Sequence, residues 1–333
     1  MSRFALPGLA LLLAAFVSPG GISPNGEIVA AVADASARNA QPVLRTTSFV
    51  PRFLDFHQAA VAAEAEAREA DREWVPGELE RLRRELWDER LGEIAGELAR
   101  RPGEPWDPEG LDEAWDRYEG SLDRIRAAHQ GLSPDPEAVM RQVADRLRLD
   151  VPMELHLIKY VGTFADQPAF RLWNGAYTLL LPVEVLPGSL RPVLIDLYTR
   201  AMHARLSGRP AEGDLSLAQH LFLRGLALRV HEDVVPGLPA EQYLLRSRDW
   251  LLNAERRDGA ILDGVRSRLD ERDPDALEAL LDGGGSTGLS GGFDYAAWRV
   301  SGLLLMDGWT LDRLARVPEH EVGELVGEVL GTG

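Results

Sequence analysis

Histidines and carboxylates are the side chains of this sequence that could bind a metal ion or move a proton, because the chain contains no cysteine. A metal site on one helix needs two histidines at i and i+4, which brings both imidazoles to the same face. None of the seven histidines has a second histidine at that spacing. His203 ends the segment Thr199-Arg200-Ala201-Met202-His203, in which a threonine stands where a first histidine would be. The pattern favours a partly buried, hydrogen-bonded histidine at position 203.

Two arginines accompany His203 in the sequence. Arg200 follows Asp196 by one helical turn, acid before base, an order that stabilises a helix by about 0.3 kcal/mol. Arg224 has no acidic neighbour at i±3 or i±4, so it needs a carboxylate from elsewhere in the fold or from a ligand; Glu184 and Asp196 are the candidate partners. The alternative is a pocket formed by Arg200, Arg224, His203 and Glu184, in which two guanidinium groups hold a carboxylate or phosphate through paired hydrogen bonds.

The elements that must position these residues follow from local sequence patterns. Residues 153–185 alternate, are rich in strand formers and contain Asn174-Gly175 between apolar runs, which predicts a small antiparallel sheet with a hairpin. Helical periodicity then predicts helices at 190–206, 215–234, 240–256, 258–271, 274–282, 295–306 and 310–330. Residues 48–150 read as helices, one of which opens at Asp135-Pro136-Glu137 with an N-cap and a first-turn proline. The expected fold class is α+β, mostly helical.

Four stretches of the C-terminal half, in this order, resemble a known family. They are GTFADQPAFRLWNGAYTLLLPVEVLP, LIDLYTRAMHARLSG, HLFLRGLALRVHEDVVPGLPAEQYL and DYAAWRVSGLLLMDGWTLDRLARVPEHEVGELVGEVL. They resemble the strand hairpin, the H-E-x-x-H helix, the E-G-L-A helix and the closing helices of bacterial predicted zinc-dependent proteases. These are gluzincin-like proteins whose defining domain has no assigned function. The resemblance covers roughly residues 150–330 and implies a zincin-like domain over residues 151–333, preceded by a helical region over 48–150.

The metal-site residues of that family are mostly replaced in this sequence. The resemblance places the first histidine ligand at Thr199, the general-base glutamate at Arg200, the second histidine at His203 and the third ligand at Arg224. An arginine side chain can neither bind zinc nor accept a proton, since its pKa exceeds about 12. The resemblance therefore implies a degenerate site with no catalytic residue and no metal.

The leading functional interpretation is a catalytically inactive relative of zinc proteases, a pseudoenzyme that binds a peptide or protein partner. One alternative is an active metallohydrolase with an unusual ligand set, the only interpretation that requires zinc as a cofactor. The other is a helical structural or interaction protein. The sequence does not name a substrate or an oligomeric state.

Net charge and the N-terminus bear on partners and location. The formal charge is −17 and no run is rich in lysine or arginine, so nucleic acid and anionic lipid surfaces are poor partners. Arg3 followed by the apolar run 4–17 predicts a signal peptide or anchor within residues 1–20, and hence export to the periplasm, surface or medium. A cytoplasmic location with an N-terminal helix is the alternative. Residues 21–47, rich in Gly, Ala, Ser and Asn, predict a disordered linker.

Overall fold

A four-stranded sheet with helices on both faces organises the chain. The structure is a computed structural model that describes residues 41–69, 77–92, 110–173, 175–208, 215–281 and 287–331. The strands are β1 (Val43–Ser48), β2 (Glu154–Tyr160), β3 (Ala169–Trp173) and β4 (Ala176–Pro182). The described helices are α1 (Val50–Glu69), α2 (Glu78–Leu91), α3 (Leu111–Glu119), α4 (Leu122–Gln130), α5 (Pro136–Arg146), α6 (Arg191–Leu206), α7 (Leu217–Val234), α8 (Ala240–Tyr243), α9 (Arg248–Arg256), α10 (Asp258–Arg266), α11 (Pro274–Leu281), α12 (Gly292–Met306), α13 (Leu311–Leu314) and α14 (Glu319–Gly331).

The sheet has the order β1-β2-β4-β3 and is mixed. The predicted hairpin is confirmed, since β3 and β4 are antiparallel and Trp173 pairs with Ala176 across a tight turn in which Gly175 has a φ of 80°. The prediction of an antiparallel sheet is wrong for β2, which runs parallel to both β1 and β4. The central strands β2 and β4 are mostly buried on both faces, and a continuous apolar run carries no signal of strand direction.

Strand β1 corrects part of the predicted linker. Residues 43–47 of that segment form a strand that pairs with β2 in register from Val43 with Glu154 to Ser48 with Lys159. β1 is at an edge of the described sheet and mostly exposed, so it lacks the apolar alternation that identifies a half-buried strand. The predicted signal segment at 1–20 and the rest of the linker to residue 40 lie outside the described residues.

The side chains of the sheet alternate between two hydrophobic clusters. Leu155 and Leu179 point into the larger cluster, which is built with α5, α6, α7 and the later helices. Ile158 and Leu180 point into the smaller cluster, which is built with α1 to α4. The sheet therefore forms the middle layer between two helical layers, and the fold is α+β and mostly helical.

The prediction of one helix over 240–256 is wrong, because the chain forms α8 and α9 with Leu245 at a φ of 55° between them. The helix start predicted at Asp135 and the start of α7 show the expected capping. The predicted N-cap of α5 is confirmed, because the Asp135 carboxylate accepts hydrogen bonds from the backbone N–H groups of Glu137 and Ala138. α7 opens with a capping box between Ser216 and Gln219, which satisfies backbone donors at its first turn. Within the described residues no helix is both long and apolar enough to cross a bilayer.

Candidate functional site

A cleft lies between the edge strand β3 and helix α6. One part of it, which we call the β3 cavity, has a volume of about 290 Å³. Strand β3 contributes Ala169, Phe170 and Arg171 to its lining, and α6 contributes Asp196 and Arg200. The hairpin and the helix that follows it thus place backbone groups of a sheet edge opposite charged side chains.

A second part of the cleft, the Arg224 cavity, has a volume of about 240 Å³. It lies between α6, α7 and the segment around α8, and Arg224 and His231 line it from α7. Pro168, Asp196 and Leu197 line both cavities, so Asp196 lies where the two parts of the cleft meet.

Asp196 binds both arginines that the sequence singled out. Its Oδ2 accepts a hydrogen bond from Nε of Arg200 at 2.7 Å, and its Oδ1 accepts one from Nη1 of Arg224 at 3.1 Å. The prediction that Asp196 compensates Arg200 and Arg224 is confirmed. The three side chains are 18 to 29% exposed, so the charges are shielded from water on most sides.

The ion pairs continue from Arg224 to α12. Nε of Arg224 donates to Oδ1 of Asp294 at 2.8 Å, and Nη2 of Arg246 lies 3.4 Å from Oδ2 of Asp294. Close packing of α7 on α12 permits this reach, since a Cβ on Gly225 would lie 2.4 Å from the carbonyl oxygen of Ala297. Sequence reasoning missed Asp294 and Arg246, because their contacts with Arg224 span long sequence separations that no local pattern reveals.

Both central members of the ion cluster stay charged at neutral pH. Burial raises the pKa of Asp196, but the positive charges of Arg200 and Arg224 outweigh it and hold that pKa below its usual value. Burial lowers the pKa of Arg224, but the carboxylates of Asp196 and Asp294 outweigh it and raise that pKa. Because each charge depends on its partners, removing one of them leaves a shielded and uncompensated charge.

The helix face that carries Thr199 and His203 does not line either cavity. Thr199 is fully buried and His203 is 2% exposed. The His203 ring packs edge-to-face on Phe222 with centroids 5.6 Å apart, and its Nδ1 lies 3.5 Å from Oγ of Ser207. Position 203 is therefore a core histidine, more deeply buried than the sequence pattern predicts, and it is not brought together with Arg200 and Arg224.

Glu184 also lies away from the arginines, so its predicted role as a partner of Arg224 is corrected. It sits in a 3₁₀ turn after β4 and is 1% exposed. Its Oε1 accepts a hydrogen bond from the backbone N–H of Gly162 at 3.0 Å, and Arg124 donates to its carbonyl oxygen. These contacts belong to the side of the sheet that faces the N-terminal helices.

The side chains of the cleft do not fit a zinc ion. The one carboxylate between the two cavities, Asp196, is held by two guanidinium groups, which repel a dication and offer no lone pair. At 4 Å and an effective dielectric near 20, each guanidinium would cost about 8 kcal/mol against a double charge. Among the residues that the structure describes, no three His, Asp or Glu side chains gather as metal ligands.

Comparison with known proteins gives no match to a family model, a curated protein or a solved structure at a significant level.

Proposed function

We propose that the cleft binds an extended peptide without hydrolysing it, as a non-catalytic relative of zinc proteases. The observation that carries the proposal is the ion cluster of Asp196, Arg200 and Arg224 beside the β3 cavity, in which two guanidinium groups hold the carboxylate that a metal ion would need.

Strand β3 offers the means of holding a peptide. It is the last strand of the described sheet, and its only strand partner there is β4. An edge strand presents unpaired backbone N–H and C=O groups, which an extended peptide can bind by strand addition while alternate side chains enter pockets. The β3 cavity lies along this edge, and its volume of about 290 Å³ can accommodate side chains of such a peptide.

The order of elements supports a relationship with zinc proteases, with a changed correspondence of residues. A hairpin precedes α6 and α7 follows it, and the cleft face of α6 carries Asp196 and Arg200 at i and i+4, with Arg224 opposite on α7. In the zinc proteases, two metal ligands come from one helix and the third comes from the next helix. Asp196, Arg200 and Arg224 have the same arrangement, and the two residues on α6 lie three positions before Thr199 and His203. With this correspondence all three ligand positions are replaced by an ion-paired set.

Peptide binding can be tested with N-acetylated, C-amidated octapeptides of alternating small and apolar residues. We expect saturable binding, slower backbone hydrogen exchange in residues 168–173, and intact peptide after incubation with added zinc. Cleavage of the peptide together with one bound metal ion per chain would instead support the metallohydrolase. Absence of binding across the panel would refute the proposal.

A matched pair of variants locates the binding site. Pro168 lines both cavities, whereas Ala165 is an exposed residue of the same loop that lines neither. We expect Pro168→Trp to block the cleft and weaken peptide binding by about tenfold or more, a loss of about 1.4 kcal/mol. Ala165→Trp should bind like the unaltered protein.

A further inference from the structure

We infer that the Arg224 cavity receives the C-terminal residue of the bound peptide, with the terminal carboxylate on the guanidinium of Arg224 and the apolar side chain in the cavity. The inference rests on the proposed function of the cleft and names the class of peptide that it takes.

The ion cluster has a net positive charge and a hydrogen-bond donor available for one anion. Three arginines, at positions 200, 224 and 246, face two aspartates, at 196 and 294, so the cluster carries a net charge of +1. Arg224 uses Nε and Nη1 for the aspartates, and within the described residues its Nη2 has no hydrogen-bond acceptor. A single carboxylate would neutralise the cluster and accept from that group through a charge-assisted bond.

The surroundings of Arg224 fit a carboxylate that carries an apolar group. Beside the charged residues, the cavity is lined mainly by apolar side chains, among them Val193, Leu197, Leu228 and Leu245. A C-terminal leucine, valine or phenylalanine places a carboxylate and an apolar side chain on one residue. An aspartate or glutamate within a peptide supplies only the carboxylate and would leave the apolar lining unfilled.

The charge of the whole chain also favours a ligand with a single negative charge. The formal net charge is −17, so a partner with many acidic residues is repelled over distances comparable to the screening length. One terminal carboxylate adds little to that repulsion, and it gains the local attraction of the arginines.

Three N-acetylated peptides of one core sequence test this inference by fluorescence anisotropy with the full chain. The first ends in leucine with a free carboxylate, the second ends in leucine amide, and the third ends in leucine amide and carries one internal aspartate. We expect the free acid to bind about tenfold or more tightly than the amide, the size typical of one hydrogen bond to a charged group. The peptide with the internal aspartate should bind like the amide.

Leu245 provides a variant pair that tests the cavity without disturbing the buried charges. It lines the Arg224 cavity, is 63% exposed and has a φ of 55°, a backbone conformation that asparagine and aspartate adopt more readily than leucine. Leu245→Asp and Leu245→Asn therefore differ in one charge at the same site. We expect Leu245→Asp to bind the free acid several-fold more weakly than Leu245→Asn, and the two variants to bind the amide equally.

The results of the peptide experiment distinguish failure of the inference from failure of the proposed function. Equal binding of free acid and amide would overturn the inference and leave peptide binding in the cleft intact. Tight binding of the amidated peptide with an internal aspartate would also overturn the inference, because the cavity would then bind a side-chain carboxylate. Failure of all three peptides to bind would refute both the inference and the proposed function.

Discussion

The buried environment of the Glu184 carboxyl group favours its neutral form. Burial raises its pKa to about 7, and the nearby charge of Asp166 adds to that rise. The backbone N–H groups of Glu184 itself, Gly162 and Phe164 act in the opposite direction but do not offset burial. Since Oε2 of Glu184 is shielded from water and has no hydrogen-bond partner among the described residues, an ionised oxygen there is poorly compensated.

This environment predicts a pH dependence of stability with a definite sign. The pKa of Glu184 is about 7 in the folded chain against 4.5 as the ordinary value, so the folded state binds the proton more tightly. Its contribution to the free energy of unfolding is therefore full below about pH 4.5 and is lost as the pH rises through 7. We expect Glu184→Gln to match the unaltered protein at pH 4.5 and to be more stable by about 3 kcal/mol at pH 8.5. Urea unfolding at the two pH values measures this difference.

Glu66→Gln is the control for that measurement, since Glu66 is an exposed acid on α1. Its substitution should leave the change in stability between pH 4.5 and pH 8.5 as it is in the unaltered protein. If Glu184→Gln behaves in the same way as Glu66→Gln, the carboxyl group of Glu184 is not the source of the pH dependence.

At the scale of elements, the sequence predicts that α6 exists but not which of its faces meets the cleft. Its start at Arg191 and end at Leu206 lie within one residue of the predicted range 190–206. Buried apolar residues cover most of the helix circumference, since Ile195 and Leu197 are both buried and project about 160° apart around the axis. Periodicity identifies a face only where apolar and polar residues are segregated, so the orientation of α6 depends on tertiary packing.

The orientation of α6 can be tested by building a zinc site in each of two registers. Asp196→His, Arg200→His and Arg224→Glu together place two histidines at i and i+4 on the cleft face, with a carboxylate opposite. We expect this triple variant to bind one zinc ion per chain, measured as metal content after gel filtration.

The second zinc site uses the positions at which the sequence resemblance places the two histidine ligands, Thr199 and His203. Thr199→His with Arg224→Glu pairs the new histidine with native His203, whose ring packs on Phe222 in the core. This double variant should bind no stoichiometric zinc, and Arg224→Glu alone should bind none either. Zinc binding by the double variant and not by the triple variant would show that the face carrying Thr199 and His203 is the one that meets α7.

At the scale of the whole molecule, β1 joins the N-terminal helices to the sheet that positions the cleft. The local signals of the sequence predict the hairpin, the helix order and the cap of α5, because turns, periodicity and capping act over a few residues. They do not predict β1 or the parallel pairing of β2 with β4, since these depend on contacts between segments about 110 and 20 residues apart. Local signals also do not predict the ion pair of Arg224 with Asp294, because these residues are 70 positions apart in the sequence.

The pairing of β1 with β2 can be tested at two adjacent threonines. The backbone N–H groups of Val43 and Phe49 donate to Met153 and Lys159, so by the alternation of a strand the N–H of Thr47 points toward β2 and that of Thr46 points away. Proline removes the N–H in either case. We expect Thr47→Pro to lower the free energy of unfolding by about 1–3 kcal/mol, because it removes a bond of the ladder and leaves its carbonyl acceptor unsatisfied.

Thr46→Pro is the matched control, since its ring replaces an N–H on the outer edge of the described sheet. In urea unfolding, Thr46→Pro should lower the free energy of unfolding by well under half as much as Thr47→Pro, because no hydrogen bond between β1 and β2 is lost. Equal losses for the two variants would contradict the register of β1 on β2. Loss of stability in Thr47→Pro alone would mean that a segment with linker-like composition fixes the sheet, and that the sheet connects both helical layers to the peptide cleft.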